Sequence, residues 1–253
     1  MPENPYETDK LLAEYLLFHY GTPDEVLPWP SGPSEALDFA VRSVTRTLDA
    51  SVLPNNARAL DIGCAVGRAS FELAQHCEAV IGIDFSARFI EAASTIARDG
   101  RLSYRRPLHA HQFAQSIAAL PSGIQRSRCA FEVGDACNLR ADLGTFDVVL
   151  AANLICRLPE PLRFFDRVPT LLKPDGQFIL TSPYTYLEDY TDPAQWLGGL
   201  PGGPTPTEAV AEVLRQHGLQ RLREVDLPML IAETPRKFQW TMVHASVWTL
   251  ESA

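Results

Sequence analysis

Apolar residues change their spacing several times along this chain, and each change marks an element. The continuous run Val148-Val149-Leu150-Ala151-Ala152 suits a strand buried on both faces and predicts one over residues 145–152. Shorter runs predict strands at 58–62, 79–83, 129–133 and 177–181. Between them lie stretches with helical spacing: 68–74, 87–98 behind the cap Ser86, and 161–172, stopped by Lys173-Pro174-Asp175-Gly176. A further helix at 208–217 has Thr207 as its cap and Gly218 as its end. Residues 219–227 and 238–250 read as a closing strand pair, with 228–237 as the loop between them. In the second of these strands Trp248 alternates with Val243, Ala245 and Val247, which places it in the core. Repeated strand-then-helix steps predict an α/β fold with a mostly parallel sheet and helices on both faces.

Ahead of the first strand, residues 7–20 carry Leu11, Leu12, Tyr15, Leu16 and Phe18 at helical spacing, with Thr8 or Asp9 near the start and Gly21-Thr22-Pro23 as the stop. The proline-rich stretch 27–33 suits neither a helix nor a central strand, so it is expected to cross the surface or a cleft. Ser34 predicts a helix over 35–50 with Ala36, Phe39, Ala40, Val44 and Leu48 on one face. Residues 101–123 read as an irregular insertion, and 197–206, rich in Gly and Pro, as a mobile loop. The reading is one domain over 1–253, divided into an N-terminal helical cap (1–50) and a core (51–253).

The formal net charge of -9 and the lack of any Lys/Arg run disfavour nucleic acid and anionic membranes as partners, leaving a small molecule. Five cysteines with no Cys-x-x-Cys pair read as reduced core residues of a cytoplasmic protein. His109 and His111 have no third ligand nearby, so no metal is expected. No signal-like or membrane-spanning run is present. Monomer and homodimer are both compatible with the sequence.

Candidate chemistry gathers at the strand exits, where ligands of such sheets bind. Gly63-Cys64-Ala65-Val66-Gly67 joins the first strand to a helix, and a loop of small residues there lets backbone N–H groups approach a ligand. No Gly-Lys-Ser/Thr makes it a P-loop, and Gly-x-Gly-x-x-Gly is missing. Asp84 ends the second strand, where a carboxylate can accept ribose hydroxyls, and Asp135-Ala136 follows the third. This set, Asp61-x-Gly63-x-Ala65-x-Gly67 with Asp84 and Asp135, resembles that of class I S-adenosylmethionine-dependent methyltransferases, whose fold is a Rossmann-like, seven-stranded, mostly parallel sheet with an antiparallel C-terminal strand. The resemblance implies S-adenosylmethionine as cofactor. Asp61, Gly63, Cys64, Ala65 and Gly67 would lie under its methionine part, Asp84 on the ribose, Asp135 and Ala136 at the adenine, with Phe85 and Asn153 also in contact. Ala65 departs from the usual glycine.

A narrower resemblance rests on Tyr6-Glu7-Thr8-Asp9-Lys10-Leu11-Leu12-Ala13-Glu14-Tyr15, Gly134-Asp135-Ala136-Cys137-Asn138-Leu139, Ser182-Pro183-Tyr184-Thr185 and Arg236-Lys237-Phe238-Gln239-Trp240. Together these strings are similar to the mercaptohistidine N-methyltransferase domain of ovothiol biosynthesis. The resemblance implies a chalcogen-substituted histidine as substrate: 5-mercaptohistidine, or 5-selenohistidine in the parallel ovoselenol pathway. For such a zwitterion, Arg157 and Lys237 are the candidate cations for the carboxylate, and Asn153 and Glu233 the acceptors for the ammonium. Tyr6, Tyr184 and Trp240 are candidate aromatic walls, and Tyr184 or His244 the candidate catalytic base or orienter. Alternatives are methylation of another small amino-acid-like or thiol metabolite, or a cofactor-binding protein without catalysis. A nicotinamide-dependent oxidoreductase fits the loop spacing poorly.

Overall fold

A computed structural model describes residues 5–251. Three helices lead the chain: α1 (Asp9–Tyr20), α2 (Pro23–Val26) and α3 (Phe39–Thr45). The first alternating units follow as β1 (Arg58–Ile62), α4 (Arg68–Leu73), β2 (Ala79–Asp84) and α5 (Ala87–Asp99). Next come the strands β3 (Arg101–Pro107), β4 (Phe113–Ala119) and β5 (Cys129–Val133). The chain then runs through β6 (Phe146–Ala152), α6 (Pro161–Arg167), β7 (Leu172–Ser182), α7 (Pro206–Gln216), β8 (Leu219–Thr234) and β9 (Lys237–Leu250).

Seven strands form one sheet in the order β5-β2-β1-β6-β7-β9-β8, and β3 and β4 pair separately. The first five strands of that order are parallel; β9 runs antiparallel to both β7 and β8. This is a Rossmann-like methyltransferase fold. Because β2 and β5 continue from one side of β1 while β7 continues from the far side of β6, the crevice of the sheet opens at the ends of β1 and β6.

Strand β6 is buried along nearly its whole length because helices cover both faces. Val149, Phe178 and Trp248 pack with Phe164 and Leu214 on the α6/α7 side. Val148, Leu150 and Ile179 pack with Val44, Ala69 and Leu73 on the α3/α4 side. Trp248 is a core residue, but strand parity puts it on the face opposite Val243, Ala245 and Val247.

Besides the helix over 161–172, which ends at Arg167 while Lys173 to Gly176 lie in β7, four expectations change. The helix over 35–50 shrinks to α3, because Asp38 takes a left-handed backbone (φ 55°) and Arg42 Nε donates to the freed Leu37 carbonyl (2.8 Å). The insertion over 101–123 is a β-hairpin: Leu102, Tyr104 and Ala118 face Leu16, Phe89 and Ile96, an alternation hidden among the outward Arg101, Ser103 and Arg105. The α7 cap is Thr205, which forms a capping box with Glu208 ahead of Pro206. The loop over 228–237 does not form, since β8 and β9 continue as a ribbon as far as Thr234 and Lys237. As β7 ends at Ser182, opposite His244, this ribbon projects past the carboxyl ends of the parallel strands and stands beside the crevice. Among the described residues no helix is long and apolar enough to cross a membrane.

Candidate functional site

The floor of the crevice is the β1–α4 loop. Gly63 (φ 76°) and Gly67 (φ 86°) hold left-handed conformations, and a Cβ would lie 2.9 Å from Leu154 Cδ1 at the first and 2.8 Å from the Phe131 ring at the second. Ala65 is also left-handed (φ 48°), a strain of about 1–2 kcal/mol for a residue with a Cβ. The loop is tied from below by Gly63 N and Cys64 N, both donating to the Ile83 carbonyl (2.8 and 3.0 Å), and from above by Tyr20 Oη, donating to the Val66 carbonyl (2.7 Å).

Two carboxylates flank the loop. Asp61 Oδ2 accepts from Ser70 Oγ at 2.6 Å, whereas Asp61 Oδ1 is buried without a partner among the described residues. Burial, partly offset by the Ser70 hydrogen bond, pushes the Asp61 carboxyl up to about 7. Asp84 accepts from Ala65 N (Oδ2, 2.9 Å) and Ser86 N (Oδ1, 2.9 Å); its pKa is nonetheless raised, burial being the largest cause. Phe85 beside it is 63% exposed. On neighbouring β5, Gly134 N donates to the Asp84 carbonyl (2.9 Å), and Asp135 follows, accepting from Cys137 N (2.8 Å) ahead of the turn Ala136–Asn138. A glycine cradle, an orphaned buried acceptor, two acids on one sheet edge and an exposed aromatic ring fit a nucleoside carrying an amino-acid tail.

The N-terminal segment roofs this floor. Ser86 Oγ donates to the Tyr6 carbonyl (3.1 Å), Ala87 N to Glu7 Oε1 (2.8 Å) and Arg88 Nη1 to the Glu7 carbonyl (3.0 Å), while Arg88 also pairs with Asp9. Tyr6 packs edge-on against Tyr15 (6.0 Å between centroids) and Phe89 (5.8 Å), and meets Tyr190 at 6.3 Å. Burial raises the hydroxyl pKa of Tyr6, and raises that of Tyr15 to about 12, the Asp84 charge adding to the latter. Arg157 lies over the Tyr190 ring (5.1 Å) and donates to the carbonyls of Cys156 (2.9 Å) and Thr185 (2.7 Å).

Asn153, at the end of β6, has a left-handed backbone (φ 54°). Its N–H donates to the Thr181 carbonyl (2.9 Å), its Oδ1 accepts from Thr181 Oγ1 (2.9 Å), and its Nδ2 donates to Met229 Sδ (3.2 Å) on the ribbon. At the ribbon tip Glu233 and Lys237 pair with each other at 2.6 Å, and Gln239 Nε2 donates to Glu233 Oε1 (2.9 Å). Glu14 of α1 makes no hydrogen bond or ion pair with a described residue; burial first and the Glu233 charge second raise its pKa. Trp29 of the proline-rich stretch anchors the tip by donating to the Pro235 carbonyl (2.6 Å).

Tyr184 and His244 do meet, with Tyr184 Oη 2.8 Å from His244 Nδ1 and His244 Nε2 3.2 Å from Glu224 Oε2. They line a pocket of about 450 Å³ with Ser182, Thr207, Asp226 and Met242. Strand alternation, however, puts His244 and Met229 on opposite faces of the ribbon, so this pair is turned away from Asn153. The inward His244 that a catalytic base requires is thus not what the register gives. Trp240 shares the parity of His244, lies opposite Leu230 and is 55% exposed. Sequence reasoning passed over Glu14, His19, Tyr190 and Glu224; for His19 the usable signal was its i, i+4 spacing from Tyr15 on α1. Among the described residues no group of three or more His, Cys, Asp or Glu could hold a metal ion.

Residues 60–180 match the family model described as a methyltransferase domain. Curated relatives include the ubiquinone biosynthesis O-methyltransferases of Coxiella burnetii (23% identical over 153 residues, 60% of this chain) and Xanthomonas axonopodis pv. citri (27% over 151 residues, 60% of this chain). The chain spans about half the length of these relatives, 55% and 53% respectively. Among solved structures, the [4+2]-cyclase SpnF superposes with a TM-score of 0.61 at 17% identity, covering 98% of this chain and 95% of that one. A S-adenosylmethionine-dependent methyltransferase of Methanosarcina mazei gives 0.54 at 18%, covering 82% of this chain and 100% of that one. With the cradle and its acids in place, residues 60–180 are similar to the methyltransferase domains of the class I, S-adenosylmethionine-dependent kind.

Proposed function

We propose that this protein transfers a methyl group from S-adenosylmethionine to an imidazole ring nitrogen of a chalcogen-substituted histidine, 5-mercaptohistidine or 5-selenohistidine. The similarity to the ovothiol N-methyltransferase domain supports the reading. The structural observation that carries it is a group of charges of both signs: Glu14 on α1 beside the Glu233–Lys237 pair on the ribbon tip. Such a set suits a zwitterion. Glu233 takes the ammonium, and Lys237 and Arg157 serve the carboxylate, the Glu233–Lys237 pair opening as substrate enters.

The bound cofactor supplies an electrophilic methyl group on its sulfonium. The remaining task is alignment, an effect that can reach about 7–11 kcal/mol. The chalcogen is intrinsically the better nucleophile, so choice of nitrogen is positional. Asn153, fixed on three sides by Thr181 and Met229, and the ring of Tyr6 set that position. The nitrogen must lose its proton, and we assign that role to Glu14, whose raised pKa suits a general base better than an ordinary surface carboxylate does. Tyr184 and His244 then hold the exit of β7 and do not take part in the chemistry.

The test is incubation with S-adenosylmethionine and either substrate, with a catechol as competing acceptor, followed by location of the new methyl by NMR. Methyl on ring nitrogen is expected. Methyl on sulfur, selenium or the catechol, or none at all, contradicts the reading.

A further inference from the structure

Four buried side-chain polar atoms lack a partner among the described residues: His19 Nδ1, Asp61 Oδ1, Tyr186 Oη and Thr249 Oγ1. Native structures rarely leave such atoms unmatched unless a ligand or water completes them. The first two flank the glycine loop. Asp61 lies at the end of β1. His19 sits in the last turn of α1, whose Leu16 packs on Ala65 and Val66 and whose Tyr20 is tied to the Val66 carbonyl at 2.7 Å. The His19 ring stacks on Tyr15 at 5.8 Å, and Tyr15 in turn packs on Phe89 at 4.8 Å.

The two orphans differ in electrostatic setting. Arg68, the first residue of α4, is buried and shares its guanidinium with Glu72 (3.0 Å), and its charge bears on His19. Burial first and Arg68 second push the His19 imidazole down to about 3, so it is neutral at physiological pH and carries one N–H. A positive neighbour favours an anionic ligand group there and repels an ammonium. Asp61 Oδ1, across the loop, can only accept unless protonated, and suits a cation.

We propose that His19 is a cofactor-binding residue whose Nδ1–H donates to the carboxylate of the amino-acid tail of S-adenosylmethionine, while Asp61 Oδ1 takes the tail's ammonium. The helix that roofs the crevice thereby also reads the cofactor, so lid and cofactor site are one structure.

Calorimetry with S-adenosylhomocysteine and with 5′-methylthioadenosine, which lacks the amino-acid tail, tests this without any turnover. In His19→Phe the affinity for S-adenosylhomocysteine should fall about 10- to 100-fold, the worth of one hydrogen bond to a charged group, with 5′-methylthioadenosine unchanged. His19→Asn, which keeps a donor near the Nδ1 position, should stay within about 3-fold of the wild type. Unchanged S-adenosylhomocysteine affinity, or equal loss of both ligands, would overturn the proposal. Should His19→Phe not fold, ¹⁵N-histidine spectra of the wild type decide: a protonated Nδ1 on His19 in the S-adenosylhomocysteine complex supports it, and a bare Nδ1 sinks it.

Discussion

The two sides of the crevice are built differently. The glycine-loop side, from Asp61 to Asp84, comes from one stretch of chain in which a strand, a five-residue loop, a helix and a second strand leave little freedom. The opposite side is assembled from segments far apart in sequence: Tyr6 and Glu14 from the N-terminus, Asn153 from β6, Tyr190 from the exit of β7, and Glu233 and Lys237 from the ribbon. A local site keeps its geometry through backbone hydrogen bonds. The assembled one depends on side chains meeting, so substitutions there should alter substrate use while leaving cofactor binding intact.

The largest effect is expected at Asp84. Asp84→Ala removes the acceptor for Ala65 N and Ser86 N as well as for a ribose, and S-adenosylhomocysteine affinity by calorimetry should fall about 10²- to 10³-fold. A loss under about 3-fold would mean that the carboxylate serves the loop alone.

Next comes the pH dependence of stability. Asp61 has a folded pKa of about 7, above its unfolded value of 3.8, so its contribution is fully present at low pH and fades as pH rises from about 4 through about 7. Asp61→Asn should flatten that decline in urea titrations of the ligand-free protein, by an amount on the order of 2–4 kcal/mol at pH 8. A decline of the same size in the variant would assign it to other groups.

Gly67→Ala forces a Cβ to within 2.8 Å of the Phe131 ring at φ 86°. Stability should drop by about 2–3 kcal/mol in the same titration, from backbone strain and crowding together. On the assembled side, Glu233→Gln should raise the KM for the amino-acid substrate about 10-fold, as loss of one hydrogen bond to a charged group does, and leave S-adenosylhomocysteine binding alone. A variant that weakens both ligands would dissolve the distinction between the two sides. The smallest effect belongs to Trp240→Ala: with the side chain 55% exposed, its loss should change KM less than about 2-fold and stability within about 0.5 kcal/mol.

The same contrast explains what could be read from the sequence. Strands β1, β2, β5 and β6 and the acids at their exits were legible because continuous apolar runs and small-residue turns are local signals. The ribbon was misread as a loop because Pro228 and Pro235 look like breakers. Pro228 lies within β8 opposite Met242, and the two residues between β8 and β9 include Pro235. The hairpin over 101–119 was masked by its arginines, and the helix beyond Ser34 was drawn too long because nothing in its spacing announces a left-handed Asp38. Which way His244 and Trp240 point depends on register, and register is set by the partner strand and not by the residues themselves.

A crystal structure with S-adenosylhomocysteine is the most direct test of the central claim. The account predicts ribose hydroxyls on Asp84, adenine beside Phe85 and Asp135, the tail over Gly63 and Gly67, and sulfur facing Asn153 beneath the Tyr6–Tyr190 roof. A nucleoside bound elsewhere, or sulfur directed at the Tyr184–His244 pocket across the ribbon, would contradict it.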